Sequence, residues 1–240
     1  MLELLKLIQD RHSERAPFDA GRPVAKKDLR QVLEAARWAP TPHNMQNFEV
    51  IVVDDRKLLE TLANIRYPMT EAFIIENQKQ LSMSEEELER KKVGLLAAHF
   101  PPALRTPGAT LDEPTYEKLR SGWARAIQSS PVLLVVAYDP ESRAPDSEGD
   151  FLGHVGLGCV LENMWLTANA LGLSVHVVSI LAKEPADAEV KSLLGLPGQM
   201  KIAFAIRLGY APPPEGRYRR VRREVEEFTH YNRFGSTSSR

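Results

Sequence analysis

Two arginines with a serine between them are the first residues in the chain whose types and spacing could do chemistry. In "DRHSERAPFD", residues 10–19, Arg11 and Arg15 flank Ser13 where a first helix is predicted to end. Guanidinium groups match the oxygens of a phosphomonoester dianion, and a hydroxyl adds a further donor. Arginines four residues apart are also typical of a solvated helix C-terminus, where cations complement the helix dipole. Spacing alone favours this solvated face over a phosphate site.

A second candidate is the corner "APTPHNMQNF", residues 39–48, between a predicted helix and a predicted strand. Pro40 and Pro42 exclude regular helix and ladder pairing there. A plain connection would need only one turn residue, whereas this corner carries four polar side chains, those of His43, Asn44, Gln46 and Asn47. The pattern predicts a stiff, polar corner with a role beyond connecting two elements.

The sequence offers little support for a metal site, for a hydrolase or nucleotide-binding motif, or for a reactive cysteine. The six histidines lack the spacing of metal ligands, and the chain has no GxSxG elbow or P-loop. "GHVGLG", residues 153–158, opens a helix instead of following a strand, which favours close helix packing over nucleotide binding. Cys159 is the only cysteine, so an intrachain disulfide is excluded. We expect it to be a small buried apolar residue and not a reactive thiol.

Composition points to an ordinary soluble globular protein. The 240 residues are 43% apolar and 26% charged, enough for one large domain or two small ones. A net charge of -1 gives no reason to expect nucleic acid or a membrane surface as a partner. The N-terminus is too short and too charged for a signal peptide, and no apolar run could span a bilayer. We therefore expect a cytoplasmic location.

Hydrophobic periodicity predicts an α+β fold with about four core strands and helices on both sheet faces. The predicted strands are residues 48–53, 131–138, 174–181 and 201–209. The predicted helices are residues 2–11, 26–38, 119–127, 151–171 and 185–194. Residues 56–98 read as helices interrupted at Tyr67-Pro68 and around residues 82–84, with a capping box formed by Ser84 and Glu87.

Three further segments have distinct patterns. Residues 99–114 contain four prolines and are predicted to be loop. The apolar stripe of helix 151–171 is wide enough to face both a core and a partner subunit, and Gly172 is predicted to end this helix. The last 30 residues show no helical period until residues 225–228. Their aromatic side chains need a surface that buries them, which favours wrapping around a partner subunit over a disordered tail.

Several motifs in order resemble the nitroreductase family of FMN-dependent oxidoreductases. The first are R-H-S-x-R and, after a helix, "AP" with Asn-x-Gln and an aromatic residue before a strand. "SSPVLLVVAYD", "LGCVLENMWLTANALGLSVHVV" and "LLGLPGQMKIAFAIRLGYAPP" continue the resemblance, which ends with an Arg-rich segment before "EVEEFTHYNRFG". It covers nearly the whole chain, although residues 65–115 form a longer middle segment than compact members carry.

The resemblance implies a fold and an assembly. The fold would be a nitroreductase-like three-layer α/β/α sandwich with a central, mostly antiparallel sheet, in a single domain spanning residues 1–240. Residues 65–115 would be a lid-like helical insertion. Residues 211–240 would form a C-terminal arm in an intertwined homodimer, with FMN at the subunit interface.

The resemblance also implies residue roles around the flavin. Arg11, His12, Ser13 and Arg15 would bind the phosphate and ribityl chain and approach the pyrimidine. Arg220 and Arg222 would meet the remaining phosphate charge. The cation near flavin N1 and O2 falls on Arg125, six residues before Pro131. A cation is suited to that place because two-electron reduction puts negative charge on N1 and O2.

The remaining implied contacts come from two loops. The corner of the other subunit would line the flavin through Pro40, Thr41, Pro42 and Asn44. Gln46 lies nearby and is a further candidate for the cofactor site, with a purely structural role as the alternative. A backbone N–H near Leu181 or Ala182 would meet flavin N5. The chain departs from the family where Thr41-Pro42 replaces two serines, where Asn47-Phe48 replaces Pro-Trp, and where residues 180–182 lack a Glu-Gly pair. These departures bear on substrate scope and redox tuning more than on FMN binding.

The implied function is an FMN-dependent NAD(P)H oxidoreductase. Hydride from NADH or NADPH would pass to flavin N5, and a nitroaromatic, quinone or similar small acceptor would then be reduced by a ping-pong mechanism. The helix "LRSGWAR" also resembles the deiodinase and dehalogenase branch, in which a lid closes on a halogenated phenol. Tyr67, His99 and Phe100 could contribute to such a lid, although lid or core packing is more typical of them than substrate binding. A third reading is an FMN-sequestering protein without turnover.

Overall fold

The chain forms two compact units in a computed structural model. The first comprises Met1–Pro68 and Arg120–Pro213, and the second Met69–Leu119 and Pro214–Arg240. The structure describes residues 2–66, 69–81, 84–96, 102–106, 108–109, 112–147, 149–184, 186–212 and 220–236. The single domain and the lid predicted from the sequence stay predictions.

A four-stranded antiparallel sheet forms the centre of the first unit. Its strands are β1 (Phe48–Val53), β2 (Val132–Tyr138), β3 (Ser174–Val178) and β4 (Lys201–Gly209), in the order β1-β2-β4-β3. Every residue of β2 is buried, as its unbroken apolar run predicts for a strand covered on both faces. The predicted bounds of β1 and β4 are confirmed.

Helices cover both faces of the sheet and make two apolar cores. The first face packs against α2 (Lys26–Arg37) and α8 (Phe151–Ala170), and the second against α3 (Arg56–Asn64), the end of α7 (Glu113–Gln128) and α9 (Ala186–Leu194). Alternate residues of β2 enter the two cores, with Leu134 on the first face and Leu133 on the second. This arrangement confirms the predicted α/β/α sandwich. A first helix, α1 (Glu3–Asp10), lies beside α8.

Gly172 ends α8 as predicted. Its φ of 74° is left-handed, a conformation that costs glycine little. The Gly172 N–H donates to Asn169 O at 3.0 Å and the Leu173 N–H donates to Ala168 O at 2.8 Å, which together make a Schellman motif. Cys159 is half-buried in the same helix and packs against the first core.

The predicted strand 174–181 is too long. β3 ends at Val178, and Ile180–Ala182 forms a 3₁₀ turn. Ser179 has helical dihedrals, with φ -82° and ψ -12°, which end the ladder. The turn allows Leu181 to reach the second core, where it is fully buried.

The second unit contains short helices. They are α4 (Glu71–Leu81), α5 (Glu85–Lys91), α6 (Pro102–Arg105), the first turns of α7 and a 3₁₀ turn at Val225–Glu227. The predicted capping box is confirmed, since Ser84 Oγ accepts from the Glu87 N–H at 3.1 Å and Glu87 Oε2 accepts from the Ser84 N–H at 3.3 Å.

The prediction of loop throughout residues 99–114 is wrong, because α6 lies inside this range and α7 begins at Glu113. Proline suits the first turn of a helix, where its missing N–H has no intrahelical acceptor. The buried amide of Gln78 also holds this segment by donating to Ala103 O and Ala109 O, both at 3.1 Å, and by accepting from the Gly108 N–H.

A charged side chain lies inside the second face of the sheet. Arg207 on β4 is fully buried, between Leu133 on β2 and His176 on β3. Its Nε donates to Ser130 Oγ at 2.7 Å, and its Nη1 lies 3.0 Å from His176 Nδ1. Its Nη2 donates to Ala16 O at 3.1 Å.

These bonds determine the protonation of His176. Arginine can only donate, so His176 Nδ1 accepts and the ring is neutral with its proton on Nε2. Removal of the ring from water, with the positive charges of Arg207 and Arg15, lowers the pKa of His176 to about 3. Burial lowers the pKa of Arg207 to about 10, while Glu14 acts in the opposite direction. Arg207 is therefore charged and His176 neutral at pH 7.

We predict that His176 makes stability depend on pH between about 3 and its ordinary value of 6.5. The unfolded chain binds a proton in this window that the folded chain does not bind. The free energy of unfolding should therefore fall by up to about 1.4 kcal/mol per pH unit as the pH drops from 6 to 4. In His176→Asn, an amide oxygen can accept the Arg207 bond without titrating, so this contribution should vanish.

Urea unfolding of both proteins at pH 7, 6, 5 and 4 measures the effect. Comparison with the variant removes the shared contribution of carboxylates. Parallel stability profiles for the two proteins would contradict the neutral state assigned to His176.

Candidate functional site

The segment after α1 is anchored on the first unit by its backbone. Three of its N–H groups donate to groups elsewhere in the unit. These bonds are Glu14 N to Val175 O at 2.8 Å, Phe18 N to Ser129 Oγ at 3.0 Å and Asp19 N to Tyr210 O at 2.8 Å. Residues 11–15, which the family resemblance assigns to the flavin phosphate, therefore lie on a segment that is anchored at Glu14 and just beyond Arg15.

The carboxylate of Glu14 organises this segment from within. Its Oε1 accepts from the Ala16 N–H at 2.9 Å, and its Oε2 lies 3.4 Å from His12 Nε2. The carboxylate is only 14% exposed. A carboxylate that faced an anion site would repel the ligand. The contacts with the Ala16 N–H and with His12 instead turn the Glu14 carboxylate towards partners in its own segment. Sequence reasoning missed this role of Glu14. The signal was its position between Ser13 and Arg15, where a carboxylate in a phosphate site has to point away from the ligand.

Arg11 lies against α8. Its Nε is 3.2 Å from Glu162 Oε1, and its guanidinium carbon is 4.5 Å from the ring centroid of Trp165. Glu162 and Trp165 are three residues apart and so lie on one face of the helix. A charged pair and a cation–π contact hold the half-buried Arg11 in a defined direction. Sequence reasoning did not find either partner.

The neighbouring donors are more open. Arg15 is exposed, with Nη1 3.5 Å from Ser13 O, and Ser13 and His12 are half-buried. The structure thus brings the four predicted residues together on one anchored segment. Two guanidinium groups, a hydroxyl and an imidazole form a donor set that fits a phosphomonoester dianion.

The corner between α2 and β1 has a strained backbone and is stabilised by hydrogen bonds between its own residues. His43, Asn44 and Gln46 have left-handed φ values of 47°, 54° and 47°, which non-glycine residues rarely adopt. Thr41 Oγ1 accepts from the Gln46 N–H at 3.1 Å, and Gln46 Nε2 donates to Asn44 Oδ1 at 3.0 Å. These hydrogen bonds of Gln46 help to close the corner, while a contact of Gln46 with the flavin stays a prediction. The side chains of Asn44 and Gln46 remain exposed.

Close packing against α8 holds this corner. A Cβ on Gly156 would lie 3.2 Å from Pro42 Cδ and 3.5 Å from Thr41 Cα, so a side chain there would crowd the corner. Close packing, the role expected of "GHVGLG", is thus shown for Gly156, whereas a Cβ on Gly158 would meet nothing within 4 Å. Asn47, whose role the sequence left open, donates from Nδ2 to Ser142 O at 3.1 Å. The corner is therefore held from two sides.

Other predicted residues are placed separately. Arg125 is exposed on the last turn of α7, where its carbonyl accepts from the Ser129 N–H at 2.9 Å. The Ala182 N–H donates to Ser179 O at 3.1 Å within the 3₁₀ turn that buries Leu181. Exposed Arg220 and Arg222 belong to the second unit. Tyr67, His99 and Phe100 lie outside the described residues. The meeting of these residues at one flavin stays a prediction.

The described part of the chain offers neither a cluster of metal ligands nor a membrane-spanning helix. Within that part, no three His, Cys, Asp or Glu residues are grouped in a way that could hold a metal ion. None of the helices described there is both long enough and apolar enough to cross a membrane.

Comparisons with known proteins agree with the fold. A curated relative from Archaeoglobus fulgidus, provisionally named NADH dehydrogenase/NAD(P)H nitroreductase, is 23% identical over 211 residues, or 88% of this chain and 86% of its own. A solved nitroreductase family protein from Clostridium novyi NT has a TM-score of 0.60 at 16% identity, covering 98% of this chain and 97% of its own. A solved nitroreductase with bound FMN from Desulfitobacterium hafniense DCB-2 has a TM-score of 0.60 at 20% identity, covering 96% and 98%.

The family model gives the most direct assignment. Residues 8–210 match the model of the Nitroreductase family, a range that begins just before the anchored segment and ends just after β4. Because this match covers most of the sequence, the chain belongs to the nitroreductase family.

Proposed function

We propose that this protein is a homodimeric FMN-dependent NAD(P)H oxidoreductase that reduces a nitroaromatic, quinone or similar small acceptor by a ping-pong mechanism. The observation that carries the proposal is the anchored segment 11–15, which presents cationic and hydroxyl donors on a fixed backbone. Such a donor set suits the terminal phosphate of FMN, and a redox cofactor suits a chain without a recognised catalytic triad or metal-site motif.

The residues have separate tasks in this proposal. Arg11, Ser13 and Arg15 bind the phosphate and ribityl chain. Arg125 places a positive charge beside flavin N1 and O2, where the negative charge of the reduced state accumulates. The bound FMN supplies the two-electron chemistry that links NADH or NADPH to the acceptor. The strained corner at residues 40–46 lines the cleft in which both substrates bind in turn.

Exposed apolar side chains support the homodimer. On α8 the side chains of Phe151 and Val155 are 73% and 50% exposed, and α1 buries none of its residues in the single chain. In the second unit Phe228, Tyr231 and Phe234 are 52%, 52% and 90% exposed. Apolar groups exposed in this number are typical of a surface covered by another subunit. We place the α1 and α8 faces in the dimer interface, with each corner serving the flavin of the other subunit.

We predict that Val155→Asp converts the dimer into a monomer and releases FMN, because an unpaired carboxylate would be buried in the interface. Leu193→Asp on α9 is the matched control, since Leu193 is 38% exposed on the opposite side of the sandwich. Light scattering after size exclusion gives the mass, and absorbance gives the flavin content. Dimeric Val155→Asp protein with full flavin content would contradict this interface.

We predict that the purified protein carries or takes up FMN and that NADH or NADPH reduces it rapidly under anaerobic conditions. Identification of the flavin after heat release, followed by stopped-flow mixing, tests both steps. Bound FMN that neither nucleotide reduces would contradict the reductase and favour sequestration or dehalogenation. Colourless protein that cannot be reconstituted would contradict FMN binding itself.

We predict that Arg11→Ala weakens FMN binding by about 10- to 100-fold, because one charge-assisted hydrogen bond to the phosphate is lost. Arg56→Ala on α3 is the control, since Arg56 is an exposed arginine that pairs with exposed Glu60 at 3.6 Å. Fluorescence titration with FMN measures both affinities. Equal affinities in the two variants would remove Arg11 from the phosphate site.

A further inference from the structure

We propose that Arg207 is a positioning residue that holds the phosphate-binding segment against the last turn of α7 and thereby sets the preference for FMN over riboflavin. This inference rests on the proposed function, because it concerns the same flavin site. Arg207 is fully buried and therefore acts through other residues and not by touching the phosphate.

One side of the guanidinium holds the segment. Nη2 donates to Ala16 O at 3.1 Å, one residue beyond Arg15. The guanidinium carbon also lies 4.1 Å from the ring centroid of Phe18. The absence of a side chain at Gly209 allows the Phe18 ring to pack against β4, since a Cβ on Gly209 would lie 2.8 Å from Phe18 Cδ2. The carbonyl and the ring together fix the exit of the segment from the phosphate cradle.

The other side holds the end of α7. Nε donates to Ser130 Oγ at 2.7 Å, and Nη2 lies 3.3 Å from Ser129 Oγ. Ser129 Oγ also accepts from the Phe18 N–H, and the Ser129 N–H donates to Arg125 O at 2.9 Å. A short chain of bonds therefore connects Arg207 to the backbone of Arg125. The same guanidinium thus touches both elements assigned to the flavin.

Arginine is required for this geometry. A buried charge costs free energy unless its donors are satisfied, and a methionine would fill similar volume without that cost. Only a planar guanidinium presents donors in several fixed directions, so it can join β3, α7 and the segment at once. Lysine has one nitrogen and cannot span the same acceptors. The guanidinium therefore fixes the positions of β3, the end of α7 and the segment relative to one another, in addition to filling space in the core.

The test compares two ligands that differ only in the phosphate. Titration with FMN and with riboflavin gives two dissociation constants, and their ratio reports how well the phosphate is bound. We expect Arg207→Met to weaken FMN binding by about tenfold or more, with riboflavin affinity changed by less than about threefold. Arg207→Lys should not restore the ratio. A purely structural role would weaken both ligands equally.

A matched control separates positioning from loss of stability. Leu134→Ala truncates a fully buried side chain on the opposite face of the sheet and should leave the FMN-to-riboflavin ratio unchanged. If Arg207→Met does not fold, Ser129→Ala removes one acceptor shared by Arg207 and Phe18 and should raise the ratio of the FMN to the riboflavin dissociation constant by a smaller factor. An unchanged ratio in Ser129→Ala and in every folded Arg207 variant would overturn the inference. Wild-type protein that binds neither flavin would overturn the proposed function as well.

Discussion

The buried guanidinium of Arg207 is the interaction on which the candidate site depends. It joins residues that are far apart in the chain: Ala16 in the first segment, Ser129 and Ser130 after α7, and His176 on β3. A buried guanidinium is stable only when its N–H donors are hydrogen-bonded. The loss of one acceptor therefore destabilises the buried charge and weakens its remaining hydrogen bonds. The segment of residues 11–16 is therefore held to the sheet through Arg207.

A second constraint acts at the corner. Three left-handed non-glycine residues are held by the Thr41 hydroxyl, by the bare backbone of Gly156 and by the Asn47 bond to Ser142. Strain of this kind persists only where the surroundings determine the backbone, and it is common beside ligands. The segment of residues 11–16 and the corner are thus both held by contacts with distant parts of the chain. Both carry exposed polar side chains, Arg15 on the segment and Asn44 and Gln46 at the corner.

Local sequence patterns predicted most of the fold. The apolar runs of β1, β2 and β4 and the glycine after α8 each specify their element through short-range chemistry. The errors arose where distant contacts decide the structure. α6 forms beside the amide of Gln78, about 25 residues earlier, and β3 ends so that Leu181 can enter the core. The candidate site follows the same division, since the role of Arg11 to Arg15 could be proposed from the family resemblance of a local motif. Glu14, Glu162 and Arg207 could not, because their roles exist only through packing.

A crystal structure of the protein loaded with FMN would test the candidate site most directly. We expect the phosphate within hydrogen-bond distance of the Arg11 or Arg15 guanidinium, with the bond from Arg207 Nη2 to Ala16 O retained. A phosphate bound away from residues 11–15, or a segment released from Arg207 in the loaded protein, would contradict this expectation.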